Sequence, residues 1–219
     1  MVVSVAPPRT LPGQALLVID MQNAFCHPRG SFARMGYDVT GCVAAVAGCV
    51  RIVEGARRHG VPVLFVTYGY QPDYCDGGYL VASIHPEVVT HQALVRGTWD
   101  VEVVDELAAA PGEPHVVKNR YSAFVGTDVA ERLRRMAVTA VTVCGVTTNV
   151  CVEGTARDAA QIDLSVTVVR DACGEIDPSR HVASLATIEH ALGRVVAVDD
   201  VVAEWADAAD RGLQERTTP

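Results

Sequence analysis

The chemistry-bearing stretch is Val141 to Asp158, VTVCGVTTNVCVEGTARD. Val141-Thr142-Val143 is a β-branched run that predicts a buried strand, and Gly145 is expected to break it. Asn149 is a good N-cap residue, so a helix is expected to open there and to carry Cys151 in its first turn. A thiol at that position faces unpaired N–H groups and the positive end of the helix dipole, both of which favour a thiolate. The bland alternative is a small buried hydrophobe, the usual fate of a free cysteine. Two further residues separate the readings. Asp20 directly follows the apolar run Ala15 to Ile19, and Lys118 directly follows the short run Pro114 to Val117. Parallel strands end at one edge of a sheet, so Asp20, Lys118 and Cys151 can converge there.

Converged, the three form a nucleophilic site. Lys118 would lower the pKa of the Cys151 thiol and keep Asp20 ionised. Asp20 would take the thiol proton as general base and return it to a leaving nitrogen as general acid. The N–H groups around Thr147 and Cys151 are the natural donors to a developing oxyanion. No histidine base is required. Cys26 and His27 are adjacent, which is poor geometry for a catalytic pair, and no metal set is completed near them.

The elements that must position these residues follow from periodicity. Strands are expected at 15–19, 61–67, 114–117, 138–144, 164–170 and 194–198, with a turn at Asp171 to Gly174. Helices are expected at 41–59, around 101–107, at about 128–136, from Asn149 to 161, at 178–192 behind Asp177 and Pro178, and at 200–209. Residues 21–40 are expected to be loop. Alternating strands and helices predict an α/β fold with a mostly parallel sheet of about six strands and helices on both faces. The long connection from Tyr68 to His91 carries four of the six tyrosines and is expected to form a lid or pocket wall, an oligomer contact, or both. Tyr68, Tyr70, Trp99 and Tyr121 are the candidate substrate-contacting side chains.

Composition bounds the function class. The chain has 219 residues, 49% hydrophobic and 20% charged, as expected of one soluble globular domain spanning 1–219, with an extended lead-in over 1–13 and a frayed tail over 211–219. A net charge of −8 without a basic, aromatic-interleaved patch argues against nucleic-acid binding. No apolar run reaches membrane-spanning length, and the N-terminus lacks the pattern of a signal peptide. Seven cysteines with no CxxC suggest free thiols in a reducing cytoplasm. There is no GxGxxG and no GxxxxGK[ST] to bind a nucleotide. A small-molecule substrate is expected, and no cofactor.

The stretches LLVIDMQNAF, VVKNRYSAF and VCGVTTNVCVEGTARDA resemble the isochorismatase-like cysteine hydrolase superfamily over about residues 14–200. That superfamily includes N-carbamoylsarcosine amidases, biuret hydrolases, ureidoacrylate amidohydrolases and nicotinamidases. The resemblance implies a Rossmann-like three-layer α/β/α sandwich, with Asp20, Lys118 and Cys151 as the catalytic triad. It also implies a non-proline cis peptide at Val146–Thr147 that aims an amide at the oxyanion, and assembly as dimers or tetramers. Nicotinamidases carry a metal-binding Asp-x-His, whereas this chain reads Tyr68-Gly69-Tyr70 there, so no metal is expected. True isochorismatases lack the nucleophilic cysteine. Arg96 to Asp100 and Lys118 to Ser122 resemble the ureidoacrylate branch, and Gln71-Pro72-Asp73 the biuret and carbamoylsarcosine branches. The expected activity is thioester-mediated hydrolysis of a linear C–N bond in a small ureido, carbamoyl or amide compound. The alternatives are an isochorismatase-type or ester hydrolase, a non-catalytic family member, and a redox-sensing thiol protein.

Overall fold

A computed structural model of the chain describes residues 11–217. Residues 1–10, most of the expected lead-in, lie outside the described residues, as do 218 and 219 at the end of the tail. Strand β1 (Gln14–Ile19) leads into two short helical segments, α1 (Asn23–Cys26) and α2 (Ser31–Arg34), where a plain loop was expected. Helix α3 (Thr40–His59) ends on Gly60 in the left-handed conformation, whose N–H reaches back to Ala56 and Arg57. Then come β2 (Val63–Tyr68), α4 (Glu87–Thr90), β3 (His115–Lys118), α5 (Val129–Arg135), β4 (Ala140–Val146), α6 (Glu153–Gln161), β5 (Ser165–Gly174), α7 (Pro178–Ala191), β6 (Arg194–Val196) and α8 (Val198–Thr217).

The six strands form one parallel sheet in the order β3-β2-β1-β4-β5-β6. The chain thus winds outward from β1 in one direction and from β4 in the other. Right-handed crossovers then put α3 on one face and α6 and α7 on the other, and α8, which follows β6, returns to the α3 face. Helices α3 and α8 pack together, as do α6 and α7, and the whole is an α/β sandwich. The boundary between β1 and β4 is the topological switch point, where crevices open at the carboxyl ends of strands.

Gly145 does not break β4. It pairs with Ile19 of β1 and with Cys173 of β5 inside the sheet. Its φ is +121°, and a Cβ there would lie 2.0 Å from the Ile19 carbonyl oxygen. Glycine is therefore present for close backbone approach at a positive φ, and the strand runs on past it to Val146. Strand β5 likewise continues through the residues expected to turn. Its register against β4 shifts between Val143 and Gly145, so the chain bulges away from β4 over Val169 to Ala172 yet rejoins it at Cys173. Helix α3 presses on that bulge at Gly48, where a Cβ would lie 1.9 Å from the Asp171 carbonyl oxygen.

The helix expected around 101–107 is instead a pair of 3-10 turns, Trp99–Val101 and Asp105–Leu107, and the long connection after β2 contains a π-helical turn, Leu80–Ile84. Helix α8 extends to Thr217, through most of the segment expected to fray. Its residues Leu213 to Arg216 are good helix formers, which polarity alone does not reveal. Asp177 caps α7 as expected, its carboxylate accepting from the Ser179 N–H at 2.8 Å ahead of Pro178. Among the described residues no helix is long and apolar enough to cross a membrane.

Replacing Gly145 by Ala would force β1 and β4 apart at the sheet centre. The variant is expected to lose at least about 3 kcal/mol of stability, in the range of severe core overpacking with backbone strain. Urea unfolding followed by circular dichroism measures this, and an unchanged midpoint would contradict the close approach.

Candidate active site

β1 ends at Ile19, which lies beside Val66 of β2 and Gly145 of β4, and Tyr68 pairs with Lys118 of β3. This register aligns the strand ends that carry Asp20, Lys118 and the turn to Cys151. Asp20 leaves β1 with φ +52°, a left-handed conformation that Asp tolerates better than most residues. Its N–H still donates to the Val66 carbonyl at 2.8 Å, and its own carbonyl accepts from the Gln22 N–H at 2.7 Å. Lys118 is the last residue of β3.

The three side chains meet. Lys118 Nζ lies 2.6 Å from Asp20 Oδ2 and 3.4 Å from Cys151 Sγ. Asp20, Lys118 and Cys151 are 0%, 1% and 5% exposed, so the site is dry. Asp20 Oδ1 is buried and has no protein hydrogen-bond partner, which leaves one oxygen of the carboxylate able to accept a proton. The Tyr68 ring supports the ammonium from the side, its centroid 4.2 Å from Lys118 Nζ.

The electrostatics correct the expectation drawn from residue types. Burial pushes the Cys151 thiol well above its ordinary pKa; Lys118 opposes this without overcoming it, and the Asp20 charge adds to it. Burial likewise raises the Asp20 carboxyl, with Lys118 pulling the other way. Desolvation therefore outweighs the cation for both groups, which favours the thiol over the thiolate and makes the carboxylate more basic. Burial thus works against ionising the sulfur, while Lys118 favours it.

Cys151 lies in a π-helical turn, Thr148–Val152, that runs into α6. Thr147 precedes this turn, and Asn149 sits within it instead of capping it. The N–H groups of Val150, Cys151 and Val152 crowd onto the single Thr147 carbonyl at 3.3, 3.1 and 3.2 Å. The Cys151 N–H thus shares one acceptor with two competitors. The Val146–Thr147 peptide is cis.

Residues that sequence reasoning passed over hold this turn from behind. Glu175 Oε2 accepts from the Asn149 N–H at 2.9 Å. Thr148 Oγ1 lies 2.9 Å from both the Gly174 carbonyl and His181 Nδ1, and Ser184 Oγ donates to the Thr148 carbonyl at 3.2 Å. Gln22, fully buried, bridges two strand ends: its amide nitrogen donates to the Tyr68 and Val101 carbonyls, each at 2.9 Å, and its oxygen accepts from the Tyr68 N–H at 2.7 Å. The one available signal was an amide two positions after a strand-end aspartate.

Of the four aromatic candidates, Tyr68 packs against the Lys118 ammonium and Tyr70 packs against Tyr68, with ring centroids 5.2 Å apart. Tyr68, Tyr70 and Tyr121 are each raised in pKa by burial first, with the charge of Cys151 among the further causes. Trp99 stands elsewhere. It is 40% exposed, packs edge-on to His27 with centroids 5.0 Å apart, and lies under the Arg29 guanidinium at 5.4 Å. It borders two surface clefts of about 800 and 640 Å³, and neither is lined by Asp20, Lys118 or Cys151. The indole therefore has a ring and a cation of the 21–40 segment as its neighbours. The long connection after β2 is tied down through Asp76, whose carboxylate accepts from the Gln71 N–H at 2.9 Å and from Asn119 Nδ2 at 3.2 Å and pairs with Arg96 at 3.2 Å.

Comparison with known proteins shows the family. The isochorismatase domain model matches residues 14–200. The chain belongs to the isochorismatase family. It is 37% identical to the ureidoacrylate amidohydrolase RutB of Methylobacterium radiotolerans, over 82% of this chain and 74% of that protein. Among solved structures, a cysteine hydrolase from Pseudomonas syringae pv. phaseolicola superposes with a TM-score of 0.83 at 30% identity, covering 93% of this chain and 97% of the other. An N-carbamoylsarcosine amidase from Thermoplasma acidophilum gives 0.70 at 27% identity, covering 85% and 96%.

Lys118→Met removes the partner of a buried carboxylate and is expected to cost about 3–5 kcal/mol in urea unfolding. The sign with pH follows from Asp20. Its folded pKa is raised, so its contribution is fully present below the unfolded carboxylate pKa, about 3.9, and is lost as pH rises through the folded value. The variant is therefore expected to lose more at pH 8 than at pH 5; a pH-independent loss would contradict the buried pair. In the unliganded wild type, iodoacetamide labelling of Cys151, followed by peptide mass mapping, is expected to be slow at neutral pH and to accelerate only under alkaline conditions.

Proposed function

We propose that the protein hydrolyses a linear C–N bond in a small ureido, carbamoyl or amide compound, with Cys151 as nucleophile. The observation that carries this is the sealed contact of sulfur, ammonium and carboxylate, at 3.4 and 2.6 Å. Similarity to a ureidoacrylate amidohydrolase and an N-carbamoylsarcosine amidase supports the substrate class.

The chemistry follows from the protonation states. Cys151 Sγ attacks the substrate carbonyl carbon as its proton passes to Asp20, whose Oδ1 is unpartnered. A carboxylate of raised pKa is the better base for this transfer. Lys118 balances the negative charge wherever it stands, on oxygen or on sulfur, and so need not move. The Thr147 and Cys151 N–H groups hold the tetrahedral oxyanion. Collapse breaks the C–N bond, Asp20 returns its proton to the departing ammonia or amine, and a thioester remains. Water then attacks the thioester, releasing the acid and restoring the thiol. A carbamate product would decay to carbon dioxide and ammonia unaided. Tyr68, Tyr70 and Tyr121 wall the pocket. None of these steps calls on a metal or an organic cofactor.

Burial weighs against a redox sensor, since such thiols are exposed and of low pKa. Assembly as a homodimer or tetramer and a cytoplasmic setting belong to the same reading; the seven cysteines are all free thiols, which fits a reducing compartment.

Ammonia release across ureido acids, biuret, carbamoyl amino acids and primary amides tests the activity. Cys151→Ala and Asp20→Asn are each expected to lower kcat by at least about 1,000-fold with the fold intact, the scale seen when one member of a catalytic unit is removed. The acid limb of kcat/KM is expected to lie above the ordinary carboxylate range, because burial raises Asp20. Activity surviving in Cys151→Ala would overturn the reading.

A further inference from the structure

The hydroxyls of Tyr68 and Tyr70 lie 2.8 Å apart, and the Tyr68 hydroxyl is also 3.1 Å from the Asn119 carbonyl oxygen. Both side chains are 3% exposed. A phenol has one proton to donate, and a carbonyl can only accept. Both contacts are hydrogen bonds in one arrangement alone: Tyr68 donates to Asn119, and Tyr70 donates to Tyr68. In the reverse arrangement the Tyr68 and Asn119 lone pairs face each other, and the buried Tyr70 proton has no other acceptor among the described residues. An unsatisfied buried donor costs about 1–3 kcal/mol, enough to decide the arrangement. The Tyr70 proton is thus committed, and its oxygen retains only accepting lone pairs.

Tyr70 is well placed to use them. Its ring meets that of Tyr68, which lies beside Lys118, with centroids 5.2 Å apart, and on its other side it meets Tyr74 of the same connection at 5.8 Å. The Lys118 ammonium under the Tyr68 ring, 4.2 Å from its centroid, is itself 3.4 Å from Cys151 Sγ, so the paired phenols stand beside the reacting groups.

We propose that Tyr70 is a specificity-determining residue whose hydroxyl, held as a pure acceptor by the Tyr68–Asn119 relay, requires the substrate to present an N–H on the substituted nitrogen of its carbamoyl group. This rests on the amidohydrolase reading and sharpens it. Ureido and carbamoyl-amine compounds carry such an N–H beside the scissile carbonyl; an oxygen isostere offers a lone pair there and meets lone pair with lone pair.

The test compares kcat/KM for N-carbamoylglycine and its oxygen isostere, O-carbamoylglycolate, in wild type, Tyr70→Phe and Tyr68→Phe. The ratio between variants cancels the intrinsic reactivity of the two compounds. Tyr70→Phe is expected to lower kcat/KM for the ureido compound by about 10- to 100-fold, chiefly through KM, and to raise that for the isostere, because the lone-pair clash goes with the hydroxyl. Tyr68→Phe frees the Tyr70 proton to donate and is expected to raise turnover of the isostere, narrowing the preference. Equal losses on both compounds in Tyr70→Phe, or an unchanged ratio in Tyr68→Phe, would overturn the inference while leaving the amidohydrolase reading intact. If wild type hydrolyses neither these probes nor any member of the wider ureido and amide panel, the reading and the inference fall together.

Discussion

The Lys118–Asp20 ion pair, buried without water, is the constraint around which the rest is arranged. Removing two such charges from water costs several kcal/mol each after relaxation, and mutual attraction repays this only when geometry is good. Here the geometry is a 2.6 Å contact between residues 98 positions apart, reached only because β1, β2 and β3 lie side by side in register. The left-handed turn at Asp20, the Gln22 bridge and the Tyr68 ring beside the ammonium all serve that contact. A hydrophobic replacement would pack more cheaply, so the pair makes sense as chemistry and not as stabilisation.

The same dryness sets the protonation logic. Cations near thiols ordinarily favour thiolate, but desolvation acts on every charged form at once. It raises sulfur and carboxyl together, which favours the thiol over the thiolate and makes the carboxylate beside it a stronger base when a substrate carbonyl is in place. The turn behind the nucleophile is held by Glu175, His181 and Ser184, which come from the end of β5 and from α7 on the far side of the switch point. Each half of the sheet therefore contributes a distinct part: one the acid and the ammonium, the other the sulfur and its scaffold.

Much of this was legible in the chain. Continuous apolar runs gave away the parallel strands, because strands buried on both faces leave no alternation. The charged residue directly after two of those runs, and the cysteine just past a third, located the site. What escaped did so for identifiable reasons. Gly145 looks like a breaker, yet its positive φ and the nearby Ile19 carbonyl are properties of the neighbouring strand, unreadable locally. Trp99 looks like a pocket aromatic, but its surroundings are His27 and Arg29, chosen by the tertiary path of the preceding loop. The direction of the pKa shifts depends on burial, which residue type does not encode. The acceptor polarity of Tyr70 depends on the Asn119 carbonyl, a backbone atom invisible to any side-chain pattern.

The most direct measurement is acid-quenched peptide mass mapping during turnover of a ureido or carbamoyl substrate. If sulfur, ammonium and carboxylate work as one site, the carbamoyl or acyl group is expected on Cys151, in wild type, with the other six cysteines unmodified. Turnover accompanied by an adduct on a different residue, or undiminished in a chain lacking the Cys151 sulfur, would contradict it.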